Sequence, residues 1–309
     1  PSVIEAEARD YVREAVRGGS VSSVKFRVKG DLNLVPFADP RQGEFRISAQ
    51  IHNGTLAFVP PTLQPAAEPP WPVLTQLNGE LLIDRNLLQI KGSGGRLGAA
   101  LQLGQFNAQI PDLDHASAVS VEAQVQGALA DVVNVVNTSP LAEITGQALT
   151  KTVASGQADV KLKLLVPLLT PEKTRVVGAV NLSGNDLQVN PQTPKLGRVR
   201  GQLNFTEKGF ALSGVQARLF GGDAKLDGGL LANVFDPAVS ARASPLSVIR
   251  VTGTVSGEGL RQAKELGLVA RLAAHASGST SYAASVGFYR GEPEISVSSN
   301  LQGLTLSLP

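Results

Sequence analysis

Apolar and polar residues alternate along much of this chain. Between Phe26 and Leu34 nearly every second residue is apolar, and the same alternation runs from Phe45 to Ile51. A period of two places successive side chains on opposite faces of an extended strand. The pattern therefore predicts strands with one apolar face, the second of them followed by a turn at residues 52–54.

The strand pattern continues to the end of the chain and is interrupted by helical stretches. Apolar residues at helical spacing predict helices over residues 2–17, 141–153 and 260–274, with a brief helical turn at 132–136. Residues 60–72 carry several prolines and are predicted to be a loop. Further strands are predicted over residues 77–83, 87–90, 97–106, 160–164, 176–182, 199–205, 210–212, 215–226, 282–289, 294–299 and 304–308.

Two sequence elements recur along the chain. Residues 77–97 and 199–219 carry apolar residues, glycines and an Arg-Leu pair at identical spacing. A glycine followed by alternating apolar residues and a proline occurs at residues 54–60, 184–191 and 303–309. The matching order indicates a duplicated module. We interpret residues 1–309 as one continuous segment of a longer repeat protein, with these predicted parts: a first β module (20–127), a helical insert (128–156), a second β module (157–258), and a helix with the start of a third module (259–309).

The predicted fold class is mostly β: a repeat-built, curled antiparallel sheet with a few short amphipathic helices, forming an elongated open groove with an apolar lining. Modules with one apolar face cannot bury that face alone, and strand twist curls the sheet that they build together. The alternative is that the apolar residues pack against each other and the helices as a closed core. The alternation nominates these groove-lining residues: Phe26, Val28, Phe45, Ile47, Leu81, Ile83, Leu88, Ile90, Val180, Leu203, Phe205, Leu212 and Leu219.

Composition and charge narrow the function classes. The formal net charge is +2 and the basic residues form no long run, so nothing predicts a nucleic-acid partner. Cysteine is absent, which excludes disulfides, thiolate catalysis and cysteine zinc sites. Methionine is absent too, and we interpret the chain as an excised piece. No apolar run approaches the length that a bilayer requires.

No combination of residues predicts catalysis. Asp112 and Asp114 are interpreted as a polar turn, and the glycine-rich residues 92–95 as a hairpin turn, because a phosphate loop needs a helix directly after it. The histidines lie far apart in sequence and lack metal-ligand spacing: His52, His115 and His275. We therefore predict a non-enzymatic protein with no catalytic residue, no metal site and no cofactor.

Several stretches resemble the YhdP branch of the AsmA-like family. The resemblance is collinear over most of the chain and is weakest between residues 232 and 279. Its clearest parts are residues 26–32, 36–39 and 43–47, residues 137–141, and the glycine–leucine–proline element that ends at residue 309.

The resemblance implies a Gram-negative envelope protein whose body is a repeating β-groove in the periplasm. It also implies an anchor in the inner membrane through a segment outside this chain. Phospholipid acyl chains are the implied partner, carried between the inner and outer membranes, and a contact with the outer membrane is left open. No catalytic motif is carried over.

Two other function classes stay open. A periplasmic scaffold would assist outer-membrane protein assembly by offering strand edges to a client, and would bind extended peptides but little lipid. A hydrolytic enzyme, such as one that processes glycans, would need carboxylates clustered across a cleft, for which the sequence gives no sign. Lipid binding is the leading hypothesis, because the apolar stripe and the resemblance both favour it.

Overall fold

The computed structural model describes residue 11 and residues 13–37, 39–113, 118–167, 173–231, 248–289 and 292–307. Strands account for about 60% of the residues and helices for about 15%, which confirms the predicted mostly β fold with a few short helices. The strands in chain order are β1 (Val16–Gly30), β2 (Gly43–Leu56), β3 (Leu74–Asp84), β4 (Leu87–Ser93), β5 (Arg96–Leu97), β6 (Leu101–Ile110), β7 (Ala118–Ala128), β8 (Val153–Ser155), β9 (Gln157–Pro167), β10 (Arg175–Gln188), β11 (Leu196–Thr206), β12 (Gly209–Leu219), β13 (Gly222–Leu231), β14 (Val248–Ser256), β15 (Ala276–Tyr289), β16 (Glu292–Ser298) and β17 (Leu304–Leu306).

The helices are short. Residues 13–15 are helical and β1 follows at once, so the predicted helix over 2–17 ends earlier than expected, and its start lies outside the described residues. Within the described ranges, no helix has the length and apolar character needed to cross a membrane. The helices are α1 (Leu129–Asn137), α2 (Leu141–Ile144), α3 (Gly257–Gln262) and α4 (Leu268–Leu272), with single turns of 3-10 helix at Leu32–Leu34, Pro61–Leu63, Lys264–Leu266 and Ala273–His275.

The ends of the first two strands differ from the prediction. Leu32 and Leu34 alternate like strand residues but lie in a 3-10 turn, which the Asp31 carboxylate caps by accepting from the Asn33 N–H at 3.0 Å. The predicted turn at residues 52–54 is wrong, because β2 continues through it. Asn53 adopts a left-handed backbone with φ of 50°, and the register shifts there, so the residues form a bulge instead of a chain reversal.

The interpretation of residues 92–95 as a hairpin turn is also wrong. Both β4 and β5 pair antiparallel with β3 in the same register, so the chain keeps its direction through Gly94 and Gly95. The reversal comes later, between β5 and β6, where Leu97 pairs with Leu101. This reversal divides the single strand predicted over 97–106.

The second predicted helix is shorter than its apolar pattern suggests. It ends at Ile144, because the Thr145 hydroxyl contacts the carbonyl oxygens of Leu141 and Ala142 at 3.0 Å and Gly146 turns left-handed with φ of 58°. The third predicted helix forms as separate short pieces, interrupted at Gly267 with φ of 54°.

The chain divides into two compact units. Unit 1 comprises Pro1–Gly127, Thr138–Pro140 and Val160–Gly178, and unit 2 comprises Ala128–Asn137, Leu141–Asp159 and Ala179–Pro309. In unit 1, β1, β2, β3, the β4–β5 strand, β6 and β7 pair in chain order. In unit 2, β11 to β16 do the same. The module boundaries drawn from the sequence stay a prediction.

Each unit contains the duplicated element in the same register. Leu81 pairs with Ile90 in unit 1, and the equivalent Leu203 pairs with Leu212 in unit 2. The backbones match as well: Gln76 and its counterpart Arg198 are both left-handed, with φ of 56° and 51°. Because such a backbone is unfavourable for residues other than glycine, its recurrence at equivalent positions supports a true duplication.

Phe37 closes one end of the first hairpin of unit 1. The loop between β1 and β2 carries Phe37, which is fully buried at 0% exposure. Its ring lies beside the Cα atoms of Gly30 and Gly43, 2.9 Å and 2.6 Å from where a Cβ on each would stand. Glycine at both strand ends therefore makes the space that the ring fills.

Replacing Phe37 with alanine is expected to lower the free energy of unfolding by about 3–5 kcal/mol, because a fully buried ring is lost from a closed site. Phe26→Ala is the matched control, since the same change at a ring that is 71% exposed should cost about 1 kcal/mol or less. Chemical denaturation followed by circular dichroism measures both. Equal losses in the two variants would contradict the burial of Phe37.

Candidate functional site

The predicted groove residues of unit 1 fall into cross-strand rows on one face of the sheet. Directly paired residues of adjacent strands share a face, and the registers link five strands in this way. The first row is Phe26, Ile47, Ile83, Leu88 and Ile110, and the second is Ala49, Leu81, Ile90, Ala108 and Val121. Val28 pairs with Phe45 beside the first row.

Apart from Ala49, which is buried at 3% exposure, the residues of these rows are half-buried or exposed. Ile47, Ile83 and Leu88 are half-buried, whereas Phe26 at the β1 end is 71% exposed. Further along the same strands the apolar residues become buried. Leu77, Leu103 and Val125 are all under 9% exposed, and Leu101 is 2% exposed. The apolar face of unit 1 thus has a closed end and a half-open end.

A loop and the helical residues before β1 cover the closed end of unit 1. The Ala57 N–H donates to the Ala15 carbonyl at 2.8 Å, and the Tyr11 hydroxyl donates to the Phe58 carbonyl at 2.9 Å. Phe58 meets Trp71 edge to face with ring centroids 5.7 Å apart. The proline-rich segment was correctly predicted as a loop apart from one 3-10 turn. Pro60 at its start is buried and joins this cover, whereas residues 65–70 are exposed.

Unit 2 repeats this arrangement. One row is fully buried, with Val215 at 2%, Leu226 at 6% and Val251 at 8% exposure. The next rows are half-buried up to β15 and become exposed at β16, where Ile295 is 66% exposed. These half-open rows are Leu203, Leu212, Gly228, Ile249, Val286 and Ile295, and beside them Phe205, Phe210 and Leu230.

Two predicted residues lie apart from the half-open rows. Leu219 is 6% exposed and belongs to the closed core of unit 2. Val180 on β10 is half-buried, and none of the described strand registers aligns it with the rows. Sequence reasoning missed Ile110, Ile249 and Val286, although each continues the alternation of its strand and could have been found from it.

Helices cover the closed end of unit 2. α3 follows β14 directly, with the Ser256 hydroxyl accepting from the Gly259 N–H at 3.0 Å and the Ser256 N–H donating to the Phe220 carbonyl at 3.1 Å. Arg261 donates to the Ala276 carbonyl at 2.7 Å, which ties α3 to the start of β15. Each unit thus has a cover made from elements other than the sheet.

The opposite face of unit 1 is polar and is held by cross-strand ion pairs. Arg27 lies 3.4 Å from Glu44, Arg46 lies 3.9 Å from Asp84, and Lys91 lies 3.6 Å from Glu80. These pairs are largely solvent-exposed and contribute little stability individually, but they favour one register. A depression of about 240 Å³ with polar and apolar walls lies over β6, β7, β9 and β10, and Val121 at the end of the second row is part of its lining.

In the described parts of the chain, side chains that could act in catalysis or bind a metal do not cluster into a site. The Ser22 hydroxyl lies 2.7 Å from Nε2 of His52, but both side chains are exposed and no third group orients the imidazole among the described hydrogen bonds. No group of three or more metal-ligating side chains forms among the described residues. Asp114 and His115 lie outside the described residues.

Tyr282 is the titratable group of the closed core in unit 2. It is 8% exposed, with its ring centroid 6.3 Å from that of Phe220. Its hydroxyl has no hydrogen-bond partner in the described part of the chain. Burial raises the pKa of Tyr282 to about 12, because the phenolate would lose its hydration. The core around it therefore stays uncharged at every physiological pH.

Comparison with known proteins finds a matching family and a similar protein. A family model described as "YhdP protein" matches residues 1–309. The chain is similar to the "Intermembrane phospholipid transporter YhdP" of Escherichia coli (strain K12), with 26% identity over 196 residues. The aligned part covers 63% of this chain and 14% of that relative, so the chain spans only a small part of the relative's length. No solved structure matches the chain significantly.

Tyr282 is expected to make stability fall above pH 10. Its pKa is about 12 in the folded chain and about 10 when unfolded, so the unfolded state loses its proton first and gains stability as pH rises from 10 towards 12. At pH 11 the free energy of unfolding is therefore lower by about 1 kcal/mol than at pH 8. Chemical denaturation at both pH values measures the loss, which should be smaller by that amount in Tyr282→Phe.

Tyr282→Phe should also be at least as stable as the parent chain at pH 7, because the removed hydroxyl has no partner. Equal pH dependence in the two proteins would show that Tyr282 is not buried in this way.

Proposed function

The chain belongs to the YhdP family, and from that premise we propose that its half-open apolar rows bind phospholipid acyl chains. In this proposal the chain is a non-enzymatic segment of a longer protein that moves phospholipid between the inner and outer membranes. The relative's printed name, an intermembrane phospholipid transporter, supports this assignment.

The observation that carries the proposal is the half-buried state of the rows. An apolar face built only for stability would be covered, as the residues around Leu101 and Val215 are, each at 2% exposure. The rows through Ile83 and Leu212 keep part of their apolar surface in contact with water. Contiguous apolar surface left open in this way is typical of binding surfaces.

The rows have suitable chemistry for an acyl chain. They contain aliphatic and aromatic side chains and no ionisable group, while the charged residues lie on the opposite face. Neighbouring strands are about 4.8 Å apart, so a row that crosses five strands is on the order of 20 Å long. Each methylene group removed from water contributes about 0.8 kcal/mol, which accumulates quickly along such a row.

We propose that the groove-lining set comprises the half-buried or exposed members of the predicted residues. Leu219 is left out because it lies in the closed core, and Val180 is left out because no described register joins it to a row. The proposed set is Phe26, Val28, Phe45, Ile47, Leu81, Ile83, Leu88, Ile90, Leu203, Phe205 and Leu212.

The location of the parent protein is part of the same proposal. We infer that this segment lies in the periplasm, because the relative is named as acting between membranes. An anchor in the inner membrane would come from a segment other than the helices described above. Contact with the outer membrane would complete the path for lipid.

A carboxylate in the middle of a row should reduce lipid binding. Ile83→Asp places an ionised group among the half-buried residues of the first row, where burying it under an acyl chain without a partner costs about 1–3 kcal/mol or more. Phospholipid that co-purifies with detergent-free protein is expected to fall about tenfold or more. Mass spectrometry of organic extracts measures the lipid per mole of folded protein.

Leu82→Asp is the matched control, because Leu82 is the next residue on the same strand and its partners Ser48 and Gln89 place it on the opposite face. It should retain the lipid of the parent chain. The same comparison is made in unit 2 with two separate variants: Phe205→Asp is the test, and Asn204→Asp, on the opposite face of the same strand, is its control. Equal lipid content in folded Ile83→Asp and folded Leu82→Asp, or clean extracts from the parent chain, would contradict the proposal.

A further inference from the structure

The depression over β6, β7, β9 and β10 is lined by residues of unit 1 and has no part in the acyl-chain proposal. Asn107 pairs with Glu122 and Gln109 pairs with Ser120, and all four residues line it. Asn107 is also paired with Lys91, which belongs to the polar face. Directly paired residues share a face, so these polar lining side chains lie opposite the apolar rows.

An ion pair joins β9 to the same face. The Lys163 Nζ lies 2.7 Å from the Glu122 Oε1. Alternate residues of a strand share a face, so Leu165 lies on the same side as Lys163. Arg175 and Val177 alternate in the same way on β10 and line the depression with them. The second pair of strands therefore adds two cations and two apolar side chains to a surface of amide and hydroxyl groups.

The charge of this lining is not balanced. The Lys163 ammonium is neutralised by the Glu122 carboxylate, whereas no described carboxylate forms an ion pair with Arg175. The arginine side chain stays charged at every physiological pH. A bound group with a single negative charge would therefore neutralise the depression.

The neighbouring side chains supply hydrogen-bond donors. The Gln89 Nε2 donates to the Asn107 Oδ1 at 2.9 Å, which leaves the Asn107 Nδ2 to donate to another group. Gln109 adds a second amide, and Ser120 adds a hydroxyl. A planar carboxylate is matched by the fork of one arginine alone, whereas a tetrahedral phosphate can also accept from donors on neighbouring strands.

Apolar side chains complete the lining of the depression. Leu165 and Val177 are 43% and 58% exposed on a face that is mainly polar. Single exposed apolar residues are common on protein surfaces, but these two line one depression together with the unbalanced Arg175. A ligand with both a negative charge and apolar groups would use the whole lining.

The size of the depression limits its occupant. Its volume of about 240 Å³ lies just below the range of about 300–1,000 Å³ that is typical of small-molecule sites. A flat bilayer surface would not fill a concave site. A phosphodiester with two short alkyl groups combines the single negative charge, the acceptor oxygens and the apolar surface that the lining requires.

We propose that this depression binds a monoanionic phosphodiester with apolar substituents. Arg175 and the donors of Asn107 and Gln109 hold the phosphate, and the apolar groups lie on Leu165 and Val177. A phospholipid headgroup and a smaller free phosphodiester share this chemistry. The site is independent of the acyl-chain rows, because its polar lining lies on the opposite face of the sheet.

Dibutyl phosphate is the first probe. Titration of the full chain, followed by ¹H–¹⁵N NMR, should shift the amide signals of residues 107–109, 120–122, 163–165 and 175–177, with a Kd of about 1 mM. Inorganic phosphate lacks the alkyl groups and hexanoate lacks the phosphate. Each should bind at least about tenfold more weakly than dibutyl phosphate.

Arg175→Gln should weaken the binding of dibutyl phosphate at least about tenfold, because a charge-assisted contact is lost. Arg200→Gln is the matched control, since Arg200 is an exposed strand residue of unit 2 that faces the uncharged Gln216. It makes the same change in net charge and should leave the Kd unchanged. Val177→Thr removes apolar surface at nearly constant volume and should weaken binding by about threefold. Circular dichroism checks that each variant is folded.

Dihexanoyl phosphatidylglycerol, used below its micelle concentration, distinguishes the two sources of the phosphodiester. Arg175-dependent binding of this lipid would assign a phospholipid to the depression. Arg175-dependent binding of dibutyl phosphate without binding of the lipid would assign a smaller free phosphodiester.

Three results would overturn the proposed site. Equal affinity for dibutyl phosphate and inorganic phosphate would indicate an adventitious ion only. Equal weakening in folded Arg175→Gln and folded Arg200→Gln would indicate a general effect of charge. Absence of shifts at the lining residues, or binding to intact anionic vesicles without binding of dibutyl phosphate, would show that the depression does not hold such a ligand.

Discussion

Backbone pairing with a side-chain period of two is the constraint on which the rest of this structure depends. Once Phe26 pairs with Ile47 and Ile47 with Ile83, every second residue of each strand is committed to the same face. A slip by one residue would move the apolar rows to the polar face and break the ion pairs there. Register, apolar face and charged face are therefore consequences of a single choice of pairing.

That choice creates more apolar surface than the sheet can cover by itself. Each unit covers one end of its strands with elements that lie outside the sheet: the loop carrying Phe58 and Trp71 in unit 1, and the helix that follows Ser256 in unit 2. The other end of each face stays half-open. The contrast between covered and uncovered parts of one face separates a stabilising core from a binding surface, and it occurs independently in both units.

The duplicated element carries its irregularities along with its pattern. Gln76 and Arg198 share a left-handed backbone, as do Gly98 and Phe220, with φ of 61° and 53°. Only one of these four residues is glycine, so the conformation is imposed by the surrounding strand pairing and opposes the local preference of the chain. Gln76 and Arg198 lie at register shifts next to the buried residues Leu77 and Val199, which are 8% and 2% exposed, whereas Gly98 and Phe220 lie in chain reversals.

The sequence by itself determined the mostly β class, most strands, the duplication and the family, because alternation and repeat spacing are local and need no knowledge of partners. It also predicted groove residues such as Ile47, Ile83 and Leu212, which the strand registers place in common rows.

Only the tertiary structure decided which apolar residues were covered. Leu219 and Leu212 alternate equally well, yet Leu219 is buried and Leu212 is half-open, because coverage comes from segments distant in sequence. The bulge at Asn53 and the continuous strand path through Gly94, both mistaken for turns, were decided in the same way, since a glycine-rich stretch reverses or continues according to the strand it pairs with.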